Sequence, residues 1–162
     1  LGDACDPWSR PSRLFPSNQV LKWKGRMPKV IPVPDEVSQP FWDAVNEKRL
    51  VLQHCDSCDL LQYPPKRSCI QCGSADKLVW KEVEGKGHIS SYILIEDGRL
   101  DRRMPDQPYN LAVVTLDEEP RINFYSNLPD VPADQVPLGA AVEVVFEECG
   151  PGQLIHEWRV VS

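Results

Sequence analysis

The sequence predicts a mainly β protein built in series: an N-terminal extended arm and short helix, a four-cysteine metal ribbon, and a C-terminal five-stranded barrel. Three observations carry that expectation. Residues 1–37 hold six of the sixteen prolines, four of the six cysteines form two C-x-x-C pairs, and the remainder resolves into short apolar-alternating segments separated by turn residues. At 162 residues the chain is long enough to bury a real core.

The arm spans residues 1–37. Pro7, Pro11, Pro16, Pro28, Pro32 and Pro34 exclude a long helix and favour extended backbone. Trp8, Phe15, Leu21 and Trp23 punctuate it, whereas disordered linkers are poor in aromatics. The arm is therefore expected to lie on its own body or on another subunit. It carries six basic residues against four acidic ones, so a net charge of −6 for the chain leaves −8 for everything after it. Solvation is the plain reading of those basic residues. The acidic remainder is a poor general attractor of nucleic acid.

Residues 38–50 form the helical segment. Ser38 is placed to cap, Pro40 falls in the first turn, and Val45 lies four residues from Phe41 and three from Trp42, describing an amphipathic helix to about Lys48. Phe41 and Trp42 read as core or interface packing. Leu50 to Gln53 then reads as a strand leading straight to Cys55.

The ribbon is assigned to residues 51–81. Cys55 and Cys58 are separated from Cys69 and Cys72 by the ten residues Asp59 to Ser68, room enough for a hairpin stopped by Pro64-Pro65. Two such knuckles bring four thiolates to one tetrahedral zinc, with Zn–S distances of about 2.3 Å. A redox dithiol would open a helix inside a βαβ unit, and none surrounds these pairs. A disulfide framework would suit a smaller secreted chain, and Cys5 and Cys149 are too remote to extend a pattern. The expected cofactor is one structural zinc ion on Cys55, Cys58, Cys69 and Cys72. Four sulfur ligands leave no open coordination position, so function is sought elsewhere.

Residues 82–162 are assigned to the barrel. After a strand over 77–84, five principal strands are expected: His88 to Ile95, Leu111 to Leu116, Arg121 to Ser126, a segment around Val142, Val144 and Phe146, and Leu154 to Val161. Gly85-Lys86-Gly87, Asp97-Gly98, Glu118-Glu119-Pro120 and Gly150-Pro151-Gly152 separate them. Five strands with a long third-to-fourth connection, Asn127 to Ala140, able to hold a helical turn, fit an OB-type barrel better than a sandwich of about seven. No run of about 18 apolar residues occurs, so no membrane contact and a cytoplasmic location are expected.

The helix with Phe41-Trp42, the entry Arg49 to Gln53, the C-x-x-C-x10-C-x-x-C with Pro64-Pro65 inside it, Trp80, Gly85-Lys86-Gly87, Pro137-Leu138-Gly139 and Val142 to Phe146 together resemble a known family. It is the rubredoxin-like zinc-ribbon/OB-fold family that accompanies thiolase-fold acyl-CoA enzymes, and the resemblance covers roughly residues 38–149. It implies a non-catalytic accessory subunit whose larger partner is a thiolase, a retro-aldolase or a hydroxymethylglutaryl-CoA synthase, with the reacting residues in that partner. The small subunit of benzoylsuccinyl-CoA thiolase is similar. The chain departs from the family at Asp59, where glycine is frequent, and in the long arm.

Under that resemblance the expected partner is a thiolase-fold large subunit in a hetero-oligomer, with acyl-CoA at or near the interface. Arg99, Arg102 and Arg103, in a loop that also offers Leu100 and Met104, suit CoA phosphates and pantetheine. The plainer reading of the same loop is a solvated one, neutralised by Asp97, Asp101 and Asp106. Trp8, Phe15, Trp23, Phe41 and Trp42 are the candidate interface residues. No catalytic residue is assigned: His88 and His156 fall in strand patterns, and no nucleophile motif occurs. The competing reading is a single-stranded nucleic-acid binder, with Tyr92, Phe124 and Tyr125 stacking bases and Lys66 and Arg67 on phosphate. The acids of the barrel segment outnumber its six basic residues more than twofold, which weighs against it.

Overall fold

The computed structural model describes residues 29, 31–96, 108–128 and 131–161. One helix, α1 (Gln39–Asn46), is followed by eight strands: β1 (Val51–Cys55), β2 (Leu60–Gln62), β3 (Leu78–Glu82), β4 (Lys86–Ile95), β5 (Tyr109–Leu116), β6 (Asn123–Ser126), β7 (Ala141–Gly150) and β8 (Gln153–Val160). β1 to β3 form a small sheet in the order β2-β1-β3, and β4 to β8 form a second in the order β6-β5-β4-β7-β8. All pairings are antiparallel. No helix among the described residues is long and apolar enough to cross a membrane.

The helix buries Phe41, Ala44 and Val45 on one face, the spacing of a helical stripe. Its entry differs from the simple cap expected at Ser38. Asp35 and Ser38 bond reciprocally, Ser38 N–H donating to Asp35 Oδ1 at 2.8 Å and Asp35 N–H to Ser38 Oγ at 3.0 Å, while Ser38 caps no helical N–H with its side chain. Lys48 takes φ +61° and ends the helix two residues beyond Asn46. Left-handed backbone cannot continue a right-handed helix.

The strand pattern carries through to the barrel. β5 alternates buried Asn110, Ala112, Val114 and Leu116 with more open Tyr109, Leu111 and Val113. A bulge between Ile89 and Ser91 shifts the register of β4 against β5, and β7 pairs with β4 only from Lys86 to His88. β6 and β8 share no ladder. Side chains bridge them instead: Trp158 N–H donates to Ser126 Oγ at 3.0 Å, and Ser126 Oγ–H and Asn127 N–H donate to Glu157 Oε2 at 2.6 and 3.1 Å. The connection from Asn127 to Ala140 holds turns rather than a helix in its described part.

One core joins the parts. Phe41 and Val45 of α1 and Leu50 and Leu52 at β1 pack with Ile89, Val114, Leu116, Phe124, Val142 and Trp158 of the barrel. Burying Leu52 completely is worth about 2 kcal/mol. Gly85 makes the joint between β3 and β4. It has φ +66°, and a Cβ there would lie 2.3 Å from Val144 Cγ1. A side chain at this position is excluded twice, by backbone conformation and by space.

The base of the arm lies on the chain's own barrel. Lys29 Nζ sits 3.1 Å from Glu147 Oε2 and 2.5 Å from Glu157 Oε1, with its side chain 13 % exposed. Ile31 packs so closely that a Cβ on Gly150 would meet its Cδ1 at 2.7 Å. Simple solvation therefore fails for Lys29: two part-buried carboxylates require a cation between them.

Candidate metal centre and the junction beside it

The four sulfurs of Cys55, Cys58, Cys69 and Cys72 lie within 4.8 Å of one another. The closest pairs are Cys58–Cys69 at 3.5 Å and Cys55–Cys72 at 3.6 Å. A tetrahedron with metal–sulfur bonds of about 2.3 Å has edges of about 3.8 Å, so this cluster is the right size for one zinc ion. The donor set is four cysteine sulfurs, one of the sets that closed structural zinc sites use.

Two matching turns build it. Asp59 N–H donates to Cys55 O at 2.8 Å, and Gly73 N–H to Cys69 O at 2.9 Å. Each of these residues follows the second cysteine of its pair, and each takes positive φ, +56° at Asp59 and +76° at Gly73. That geometry is why glycine suits the position after a knuckle and why Asp59 is tolerated there, aspartate being one of the few side chains that visits left-handed backbone. His54 then meets the Asp59 carboxylate at 2.8 Å and that of Asp56 at 3.2 Å. It holds the first turn and stands outside the sulfur cluster.

Backbone N–H groups of Cys72 and Gln71 hold the Cys69 thiol down to about 6, against the opposing effect of burial. Burial, reinforced by bonding among the thiols, pushes Cys58 up to about 12. Four crowded thiolates repel one another. A dication at their centre removes that conflict and deprotonates coordinating thiols outright. The residues present therefore fit zinc.

Sequence reasoning missed the amide pair that supports the second knuckle. Gln53 and Gln62 face each other across β1 and β2 and are both buried. Gln62 Nε2 donates to Gln53 Oε1 at 2.8 Å, Gln53 Oε1 also accepts from Lys66 N–H at 2.7 Å, Gln53 Nε2 donates to Lys66 O at 3.0 Å, and Gln62 Oε1 accepts from Ile70 N–H at 3.0 Å. These bonds fix the backbone from Lys66 to Ile70, which carries Cys69. In the sequence the two residues show only as single glutamines in short, mostly apolar segments, and the pairing appears with the strand register.

The ribbon meets the barrel in an aromatic cluster. Tyr63 lies 4.5 Å from Phe124 and 5.5 Å from Phe41 by ring centroids, and His156 stacks on Trp42 and lies edge-on to Phe41 and Phe124. Burial, followed by the charge of Lys29, lowers the His156 pKa to about 4. The ring is therefore neutral at pH 7. His88 is paired with Asp117 at 3.0 Å on the surface.

Several expected site residues are now placed. Phe41 is 2 % exposed and belongs to the chain's own core, so its interface assignment gives way to a packing role. Trp42 is partly buried beside it, 5.1 Å away and edge-on. Phe124 is buried and cannot stack on a base, Tyr92 packs against the core, and Arg67 pairs with Glu36. Tyr125 is exposed. Arg99, Arg102, Arg103, Trp8, Phe15 and Trp23 lie outside the described residues.

Fold and site together define a zinc-ribbon protein with an OB-fold barrel. Residues 42–77 match the family model "ChsH2, rubredoxin-like zinc ribbon domain", and residues 80–147 match "ChsH2, C-terminal OB-fold domain". A "DUF35 domain-containing scaffold protein" of Methanothermobacter thermautotrophicus is 32% identical over 94 residues, which cover 58% of this chain and 68% of that one. The chain belongs to the ChsH2/DUF35 family. A "Probable enoyl-CoA hydratase alpha subunit" of Thermomonospora curvata is 34% identical over 122 residues, 74% of this chain but only 36% of that relative's length. Among solved structures, a chain of "Ltp2-ChsH2(DUF35) aldolase" matches with TM-score 0.67 and 27% identity, covering 80% of this chain and 98% of that one. A Sulfolobus solfataricus DUF35 protein of unknown function shares the fold at TM-score 0.55 and 16% identity, over 78% of this chain and 86% of that one.

Proposed function

We propose that this chain is a non-catalytic accessory subunit of an acyl-CoA enzyme, organised by its zinc ribbon. It scaffolds a thiolase-fold large subunit that cleaves a carbon–carbon bond of an acyl-CoA, and it helps to bind the CoA thioester. The observation that carries this reading is the match over 98% of a chain that belongs to an aldolase complex. The chemistry of the described residues supports it. The metal centre is closed by four sulfurs, His54 and His88 are engaged by carboxylates, and His156 is buried among aromatic rings. Trp8, Phe15, Trp23 and Trp42 are the proposed partner contacts, and Arg99, Arg102 and Arg103 the proposed contacts to CoA.

Coexpression with a thiolase-fold partner from the same source tests the proposal. The two chains should copurify, with thiolysis or retro-aldol cleavage only when both are present. Turnover by the isolated chain overturns the accessory reading. Deleting residues 1–28 leaves Lys29 and Ile31 in place and should weaken assembly at least about tenfold, because interface tryptophans are frequent anchors. Zinc content should not change.

A further inference from the structure

We propose that the open edge of β4, from Ser91 to Ile95, pairs with the same edge of a second copy of this chain, joining two barrels through one continuous antiparallel sheet. The inference stands apart from the accessory reading, since it concerns two copies of this chain alone. β4 pairs with β7 only from Lys86 to His88, and the contact closes with Ile89 N–H donating to Ala140 O at 3.0 Å and Gly139 N–H donating to Ile89 O at 2.8 Å. After the bulge between Ile89 and Ser91, β4 runs on to Ile95 with β5 on one side and no described strand on the other.

Register decides which groups face that open side. Asp117 N–H donates to Lys86 O at 3.0 Å, so Lys86 bonds towards β5, and so does every second residue up to the bulge. β5 keeps its own alternation past the bulge, which sets Val113, Leu111 and Tyr109 opposite Ser91, Ile93 and Ile95 as bonded pairs. Tyr92 and Leu94 therefore direct their N–H and C=O away from β5, and no described residue bonds to them there. Unpaired backbone on an edge strand is a template for another strand, and the usual guards are charges, proline or a very short edge. β3 has Lys81 and Glu82 on its open edge, and β2 is only three residues long. The stretch from Ser91 to Ile95 carries no charge and no proline, and it leaves Ile93 55% and Leu94 45% exposed.

A second copy fits this edge in both hydrogen bonding and charge. With a two-fold axis at Ile93, Tyr92 of each copy lies opposite Leu94 of the other, and every open N–H and C=O of these residues finds a partner. The two Ile93 side chains then meet as a non-hydrogen-bonded pair, the closer of the two kinds. Ser91 falls opposite Ile95 and Glu96 opposite Ser90, so no like charges face each other across the axis. In a chain with a net charge of −6, a neutral contact strip is what self-association needs. The same axis brings together the apolar rows behind the edge, where Ile93 pairs with Leu111 and Ile95 with Tyr109.

Sedimentation velocity of the zinc-loaded full chain from about 1 to about 100 μM tests the pairing, with monomer giving way to dimer as concentration rises, the behaviour of a small interface. Ile93→Lys and Ile93→Glu should each weaken dimerisation at least about tenfold, because each sets like charges opposite one another at the axis. An equimolar mixture of the two variants should dimerise again, with opposite charges in that place. The Ile93 side chain is exposed, so both variants should keep their zinc and the melting temperature of the monomer. Amide exchange followed by NMR should find Ser91, Ile93 and Ile95 protected at every concentration, and Tyr92 and Leu94 protected only in the dimer. A chain that stays monomeric, dimerisation that Ile93→Lys leaves within about twofold, or a mixture that fails to reassociate overturns the proposal. So does protection of Tyr92 and Leu94 in the monomer, which would put another segment of the same chain on the edge, or protection that arises only with a large subunit.

Discussion

The ribbon and the barrel solve the same problem with different means. The ribbon's own core is Cys55, Leu60 and Cys69, with Cys58 and Leu78 against it. The barrel, α1 and the start of β1 together bury Trp158, Phe124, Leu52, Ile89, Leu116 and others in one continuous cluster. Three small buried side chains cannot offset the conformational entropy of ordering about thirty residues, which costs about 1–2 kcal/mol each for the backbone alone. The metal supplies what the apolar core lacks, on the order of 10 kcal/mol for small zinc domains.

Breaking this contrast at its strongest point means removing the metal. Chelation, or Cys69→Ser, should abolish one zinc per chain and strip exchange protection from amides of β1 to β3. Amides of β5 and β8 should stay protected, because their partners are other barrel strands. Hydrogen exchange read by mass spectrometry checks this. Simultaneous loss across all eight strands would show that the two regions fold as one unit. The reciprocal experiment is Trp158→Ala, which removes a fully buried ring and should cost about 3–5 kcal/mol. Denaturant melts should register that loss, while zinc per folded chain stays at one, since all four ligands lie in the ribbon.

The joint between the regions carries a pH dependence of intermediate size. The His156 pKa is about 4 when folded, against 6.5 for the free side chain, so the unfolded chain binds the extra proton more tightly. Stability should be unaffected by this group above pH 6.5 and should fall as pH drops from there towards 4. The maximum loss is about 3 kcal/mol, from the size of the shift. His156→Phe should flatten that part of the curve. Thermal melts at pH 7 and pH 4.5 for the two proteins measure the difference.

The metal ligands were legible in the sequence because one ion dictates spacing within a short stretch, and the barrel strands because burial on one face imposes a period of two. Phe41 shows where such legibility ends. Its apolar spacing marks a buried face, but whether that face covers the chain's own barrel or another subunit depends on contacts such as the one with His156 of β8, more than a hundred residues away. Lys29 is similar. A lysine in a proline-rich arm looks solvated until Glu147 and Glu157 are brought together by the pairing of β7 with β8. Gln53 and Gln62 were hidden for a different reason: glutamine in a strand carries no signal of its own until register sets it opposite its partner.

That amide pair gives the subtlest way to sharpen the comparison, because it separates support of the metal site from the metal itself. Gln62→Met keeps volume and apolar contact but removes the acceptor for Ile70 N–H and the donor to Gln53 Oε1. A part-buried donor left without a partner costs about 1–3 kcal/mol, and Gln53 Oε1 retains Lys66 N–H as compensation, so about 2 kcal/mol is expected. Cys69 itself is untouched, so zinc should still bind at one per chain. The cost should appear as faster release, because the loop from Lys66 to Ile70 opens more often when its anchors are gone. Zinc transfer to a chromophoric chelator should accelerate about thirtyfold, the kinetic equivalent of that free energy if the loop opens before the metal leaves. The melting of the barrel should move far less. Equal destabilisation of both regions would mean that the glutamines stabilise the shared β1 strand rather than the second knuckle. An unchanged release rate would show that the metal alone holds Cys69 in place.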